Sequence, residues 1–333
     1  MDGGSIVVRA PNWLGDTVMA IPALRALRRA LPDARIGVTG RWAPLLTGQG
    51  LADLLLPYPS PPGERRRFNR ALRAERADVA ILFPNSLESA LASRRWGARR
   101  RVGFDTDARA LLLTDALPLP RPRRHQIDEY LMLLELIGIR TEERIPVWAL
   151  GDDPGAEREV DALLADAGIM DGAPVVGLHL GASLGPSKRW PADSFAGLAA
   201  QLAKTERAPL LLGSDADRET ATAVIAAARP APASLVGRDR LALLPRLVSR
   251  LSCLVSADTG VAHLAAALDV PTVTLFGPTD PRLTAPRGTR ARVICPGAPC
   301  APCFLASCPI EHICLRSIDV DLVEREIGLA AAA

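Results

Sequence analysis

Short apolar runs alternate with longer amphipathic stretches along the whole chain, and that alternation narrows its fold more than any other feature. Runs rich in Val, Ile and Leu at 5–9, 36–39, 53–56 and 78–83 read as strands, with Gly and Pro nearby. Stretches 17–31 and 125–139 carry apolar residues at helical spacing. The pattern then restarts. Strands at 175–179, 208–212, 251–256 and 272–276 are interleaved with helices at 192–204, 217–228, 241–249 and 260–268. Repeated strand-then-helix units build parallel sheets. Between the two series, residues 140–174 mix charges with Pro146, Pro154 and Pro174 around one helix at 156–167, and read as a join. The expected architecture is α/β, with two Rossmann-like domains, 1–165 and 166–318, facing a central cleft. A last helix in 319–333 is expected to pack back on the N-terminal domain.

Composition excludes several alternatives. The chain has 333 residues, 48% apolar and 23% charged, which is ordinary globular usage rather than disordered or collagen-like. No apolar run reaches the ~18 residues of a membrane span, and no signal peptide is visible after Met1, so a cytosolic protein is expected. The net charge of +3 hides an asymmetry. Residues 1–150 hold 23 Arg against 16 acidic residues, whereas 151–333 hold 17 basic against 21 acidic. Arg65, Arg66, Arg67, Arg70, Arg73 and Arg76 form one block, and Arg94, Arg95, Arg99, Arg100 and Arg101 another. Such a basic half suits an anionic partner, or reflects arginines on solvated helix faces. Few aromatics interleave with them, so no single-stranded nucleic-acid platform is expected.

Ligands of open parallel sheets sit beyond the carboxyl ends of the strands, so the loops there carry the search. After the first strand comes Pro11-Asn12-Trp13-Leu14-Gly15-Asp16. Asp16 fits either a helix cap or a carboxylate able to take a proton from a hydroxyl. The loop lacks the glycine spacings of a dinucleotide site or a P-loop. The second loop, 180–191, offers Ser183, Ser187 and Lys188 among small residues, a combination that suits phosphate. Lys188 is one of only two lysines in an arginine-rich chain, so a compact charge is wanted there. In the third, Asp258 or Thr259 can cap a helix whose first amides, Thr259 to Val261, form an anion site, with His263 one turn on. In the fourth, 213–219, the acids Asp217 and Glu219 suit ribose hydroxyls or a solvated helix start.

Asp105/Asp107, Asp215/Asp217 and Asp319/Asp321 mimic metal motifs, but three such pairs in an Asp-rich chain place no catalytic metal. Five of six cysteines lie in 295–314. Cys300, Cys303, Cys308 and Cys314, with His312 among them, fit a structural metal or free thiols, although the spacing is short for a zinc ribbon.

Together these loops resemble glycosyltransferase family 9, the ADP-heptose:lipopolysaccharide heptosyltransferases, and most of all the heptosyltransferase II branch. The carriers are the stretch from Val8 to Asp16 and on to Pro22, Gly185-Pro186-Ser187-Lys188-Arg189-Trp190-Pro191, Asp258-Thr259-Gly260 with His263, and Phe276-Gly277-Pro278-Thr279. Cys300-Ala301-Pro302-Cys303, Cys308-Pro309, His312 and Cys314 complete the ordered set. The resemblance implies a GT-B fold, with nucleotide sugar on the C-terminal domain and acceptor on the N-terminal one. It implies inverting transfer of L-glycero-D-manno-heptose from ADP-heptose to a heptosyl-Kdo2-lipid A type inner core, without catalytic metal. Asp16 would be the general base, with Ser183, Lys188, Thr259 and Gly260 at the diphosphate. Asp258 and His263 would position the donor, and Asp217 or Glu219 would hold the ribose. Asn12, Arg65, Arg66, Arg67 and Arg70 would meet the acceptor at the inner leaflet, from a cytoplasmic protein in transient contact with the membrane surface. The alternatives are a family 9 transferase with another acceptor or nucleotide sugar, and a GT-B sugar-nucleotide epimerase. The epimerase would need a second carboxylate pair, and none is visible.

Overall fold

The computed structural model describes residues 4–182, 185–238 and 240–333. The chain divides into two compact units, Met1–Val147 and Trp148–Ala333. The first contains strands β1 (Ser5–Arg9), β2 (Arg35–Thr39), β3 (Leu54–Leu56), β4 (Val79–Leu82), β5 (Arg100–Asp105) and β6 (Asp115–Pro118). Its α-helices are α1 (Leu14–Met19), α2 (Ile21–Ala30), α3 (Pro62–Ala74), α4 (Leu87–Trp96) and α5 (Gln126–Glu135). The sheet is parallel throughout, in the order β3-β2-β1-β4-β5-β6. Strands buried on both faces read as continuous apolar runs, which is why Val79–Leu82 is entirely buried. Local chemistry sets the helix ends. Ser86 caps α4 by accepting from the Ser89 amide, and Gly97 closes it with φ 78°.

The second unit contains β7 (Val175–His179), β8 (Ala208–Leu212), β9 (Ala233–Ser234), β10 (Cys253–Ala257), β11 (Thr272–Leu275) and β12 (Ala291–Ile294). Its helices are α6 (Pro154–Asp166), α7 (Ala192–Lys204), α8 (Arg218–Ala227), α9 (Leu244–Ser249), α10 (Gly260–Ala267), α11 (Pro281–Thr284), α12 (Ile313–Arg316) and α13 (Val320–Ala332). The strand order β12-β11-β10-β7-β8-β9 repeats the first unit's order. Both sheets therefore have the doubly wound Rossmann arrangement, with the order reversing between β1 and β4 and between β7 and β10. Ligands of such sheets bind at that reversal. The Asn12–Asp16 loop follows β1, and the Lys188 and Asp258 loops follow β7 and β10.

Three expectations differ from the structure. The units divide at Val147/Trp148 rather than at 165/166, because the segment after Trp148 docks on the second unit. The Trp148 amide donates to Ala267 O at 2.7 Å, and Arg246 binds Gly151 O and Glu157. The final helix lies on its own unit: Val323, Ile327 and Ala330 enter the core beneath α7 and β10 to β12. Gln201 donates to Asp321 at 2.6 Å, and Arg292 pairs with Glu326 at 2.9 Å. Finally, the helix expected over 17–31 is two helices meeting at Ala20.

Candidate active site

In the first unit, α1 begins at Leu14 with Trp13 in the cap position, so Asp16 sits inside the first turn rather than at the cap. Its carboxylate is half-buried, at the amide-rich end of the helix. Tyr130 lies close by on α5: burial raises its phenol pKa, and the charges of Asp16 and Glu129 raise it further. Asn12 is exposed, and its Oδ1 accepts from Arg9 Nη2 at 2.8 Å. Arg9 ends β1 and is itself only 2% exposed. It also donates to Ala10 O at 2.5 Å and lies 4.0 Å from the Tyr58 ring centroid. Tyr58 donates to Glu88 at 2.5 Å, and Glu88 faces Arg65 at 3.7 Å. Arg66, Arg67 and Arg70 are exposed on α3. Arg65 thus belongs to the network around the Asp16 loop, whereas the other three form a solvated face.

In the second unit, Lys188 Nζ donates to Asp258 Oδ2 at 2.6 Å and to Asp258 O at 3.2 Å. Thr279 donates to the same carboxylate oxygen at 2.8 Å. The ion pair is nearly buried, at 12% and 8% side-chain exposure. Three loops distant in sequence thereby meet at one carboxylate. Thr259 caps α10 in extended conformation, with no side-chain bond to the helix amides, and Gly260 opens the first turn. His263 is buried in that helix. Ser183 lies outside the described residues.

The fourth loop is built as a cap. Asp217 is buried and accepts from the Ser214 amide and hydroxyl, both at 2.9 Å, and from Arg189 at 3.1 Å. Glu219 is exposed at the start of α8. One member each of two acidic pairs has an equally local role: Asp215 pairs with Arg218 at 2.7 Å, and Asp319 caps α13.

The cysteine segment does not assemble as a metal site. All six cysteines are free thiols, and among the described residues no three His, Cys, Asp or Glu side chains are gathered for a metal. Cys314 points into the core, where a Cβ on Gly277 would meet its Sγ at 3.0 Å, and burial raises its thiol pKa. The segment instead buttresses the loop that carries Lys188. Ser187 donates its hydroxyl to Leu305 O and its amide to Ala306 O, so that hydroxyl holds the loop rather than a ligand. Gly185 has φ 139°, and a Cβ there would lie 2.4 Å from Ala306 O.

His179 and Ser256, at the ends of β7 and β10, were missed by sequence reasoning. The one signal was a polar side chain in the last two positions of each otherwise apolar strand.

Solved proteins share this architecture. The structure of E. coli ADP-heptose lipopolysaccharide heptosyltransferase II aligns over 98% of both chains with a TM-score of 0.82 and 28% identity. A glycosyl transferase family 9 structure from Veillonella parvula aligns over 99% of this chain with a TM-score of 0.85, and at 20% identity speaks for the fold alone. Two Rossmann-like domains of this kind define the GT-B class. At the sequence level, the model of glycosyltransferase family 9 (heptosyltransferase) matches residues 65–314. Lipopolysaccharide heptosyltransferase 2 of Salmonella typhimurium is 33% identical over 310 residues, and that of E. coli 32% over 303, each covering 87% of both chains. The chain belongs to glycosyltransferase family 9.

Proposed function

We propose that this chain transfers L-glycero-D-manno-heptose from ADP-heptose to the inner core of lipopolysaccharide, on a heptosyl-Kdo2-lipid A type acceptor. One observation carries the reading: relatives at 32–33% identity over 87% of the chain are lipopolysaccharide heptosyltransferases 2. The residues have matching chemistry. Asp16 accepts the proton of the acceptor hydroxyl, whose oxygen bonds to the anomeric carbon of the heptose. The bond from that carbon to the diphosphate breaks, and ADP leaves with the electron pair. The displacement inverts the anomeric centre. Lys188 and the Thr259–Gly260 amides stabilise the charge growing on the diphosphate, which takes the place of a catalytic metal. Asp258 orients Lys188 for that role, and His263 and Asp217 or Glu219 position the rest of the donor. Asn12 and Arg65 meet the acceptor, and Arg66, Arg67 and Arg70 face the anionic membrane surface from the cytoplasmic side. Among the described residues, no helix is long and apolar enough to cross a membrane.

The test is turnover with ADP-heptose and a panel of truncated lipopolysaccharide cores, scored by product mass and anomeric configuration. The expected product is one heptose heavier, with inverted configuration, and is formed equally after exhaustive chelation. Product on a different core, or from a different nucleotide sugar, replaces the acceptor or donor assignment. Asp16→Ala is expected to lower kcat by at least about a hundredfold, the usual worth of a positioned base, with ADP affinity unchanged. Wild-type turnover by that variant overturns the base assignment.

A further inference from the structure

The cap of α10 is unusual in what its side chain does. A Thr at a helix N-cap ordinarily turns its hydroxyl onto the amides of the second or third helical residue, here Val261 and Ala262. Thr259 makes no such bond. Its Oγ1 lies 2.8 Å from Ser256 Oγ, a fully buried hydroxyl at the end of β10. Ser256 Oγ lies 3.3 Å from His179 Nδ1 and directs its own proton to Ala257 O at 2.9 Å. A serine hydroxyl has one proton and two acceptor positions. Because Ala257 O can only accept, we assign the Ser256 proton to it; the two acceptor positions then take the Thr259 hydroxyl and the His179 tautomer protonated at Nδ1.

We infer that His179 and Ser256 are positioning residues for the donor diphosphate: they draw the Thr259 hydroxyl off the helix and leave the first-turn amides of α10 open for the anion. The inference rests on the donor reading given above. His179 is suited to the task because it stays neutral. Burial pushes its pKa down to about 4, against the opposing pull of Asp217. A Cβ on Gly181 would meet Asp217 Oδ2 at 2.8 Å and His179 Cε1 at 3.2 Å, so the glycine lets carboxylate and imidazole approach from either side. The line from Asp217 through His179 and Ser256 to Thr259 thus links the fourth loop to the phosphate-type cap.

The test is ADP affinity by calorimetry, with amide hydrogen exchange at Val261 and Ala262 as a second readout. In Ser256→Ala and His179→Leu, the Thr259 hydroxyl should turn onto the helix. ADP affinity should then fall about tenfold, the worth of a hydrogen bond to a charged group, while those two amides gain protection. His179→Asn, which keeps a donor near the Nδ1 position, should restore binding. In a Thr259→Gly background, Ser256→Ala should have no further effect, because no hydroxyl remains to capture the amides. Ser256→Cys, which preserves volume but accepts weakly, gives the same answer should the alanine variant fold poorly. Unchanged ADP affinity and amide exchange in folded Ser256 and His179 variants overturn the inference while leaving the donor reading intact. Absence of ADP binding by the wild-type protein overturns the donor reading itself.

Discussion

Lys188 shows how much one residue can connect. Its ammonium reaches 70 positions along the chain to Asp258, whose oxygen also accepts from Thr279. Removing one partner of a nearly buried pair strands the other charge away from water. Lys188→Met is therefore expected to lower unfolding stability by about 3 kcal/mol, read by denaturant titration. Adding Asp258→Asn, which retains an acceptor for Thr279, should recover much of that loss. ADP affinity should stay low in both variants, because the cation proposed to meet the diphosphate is gone. Full ADP affinity in Lys188→Met would remove Lys188 from the donor site. Lys188 stood out in the sequence as one of two lysines among arginines. Its partners did not, because a loop after β7 meeting loops after β10 and β11 is a consequence of strand order. Arginines mislead in the opposite direction. Arg109 stood in the basic stretch like any surface charge, yet it is fully buried. It donates to Phe104 O, Pro84 O, Ser86 O and Ser89 Oγ, and burial lowers its pKa to about 10. It ties together the loops after β4 and β5.

At the scale of elements, the loop carrying Lys188 has its shape imposed by the cysteine segment. Gly185 brings its backbone against Ala306 O at a distance no side chain tolerates, and its φ of 139° lies in glycine's territory. Ser187 anchors the same short helical turn to Leu305 and Ala306. Gly185→Ala should therefore push the two segments apart, at a cost of about 2 kcal/mol in strain. A parallel loss of ADP affinity should follow, because Lys188 is three residues away. Loss of stability with unchanged ADP affinity would separate the buttress from the site. The strands and most helices were readable from alternation and periodicity, since parallel strands covered on both faces must be apolar throughout. The role of the segment after 295 was hidden by its composition. Clustered cysteines point to metal or free thiols, but the packing of Cys314 against Gly277 depends on a turn far away in sequence. The last helix was likewise placed on the wrong unit, because an amphipathic pattern tells which face is buried and not what buries it.

The whole molecule sorts its charge by unit. Residues 148–150 are uncharged, so Met1–Val147 carries the 23 Arg against 16 acids, and the unit from Trp148 carries the acidic balance. Within the basic unit the structure divides the arginines again. Arg100 pairs with Asp115 at 2.6 Å, and Arg101 donates to Leu112 O and Ala98 O, so both serve the fold. Arg66, Arg67 and Arg70 lie at three- and four-residue spacings along α3, exposed, and so present charge together. Attraction to an anionic bilayer is worth about 1 kcal/mol per arginine near the surface. The wild-type protein is therefore expected to sediment with vesicles containing anionic lipid at low salt, and to release as added salt shortens the range of the field. Replacing the three arginines by glutamine should weaken vesicle binding by about a hundredfold while leaving turnover on a soluble, delipidated core acceptor intact. Equal sedimentation of wild type and triple variant, or binding indifferent to salt, would assign these arginines to solvation alone. Loss of turnover on the soluble core would move them instead from the membrane face to the acceptor itself.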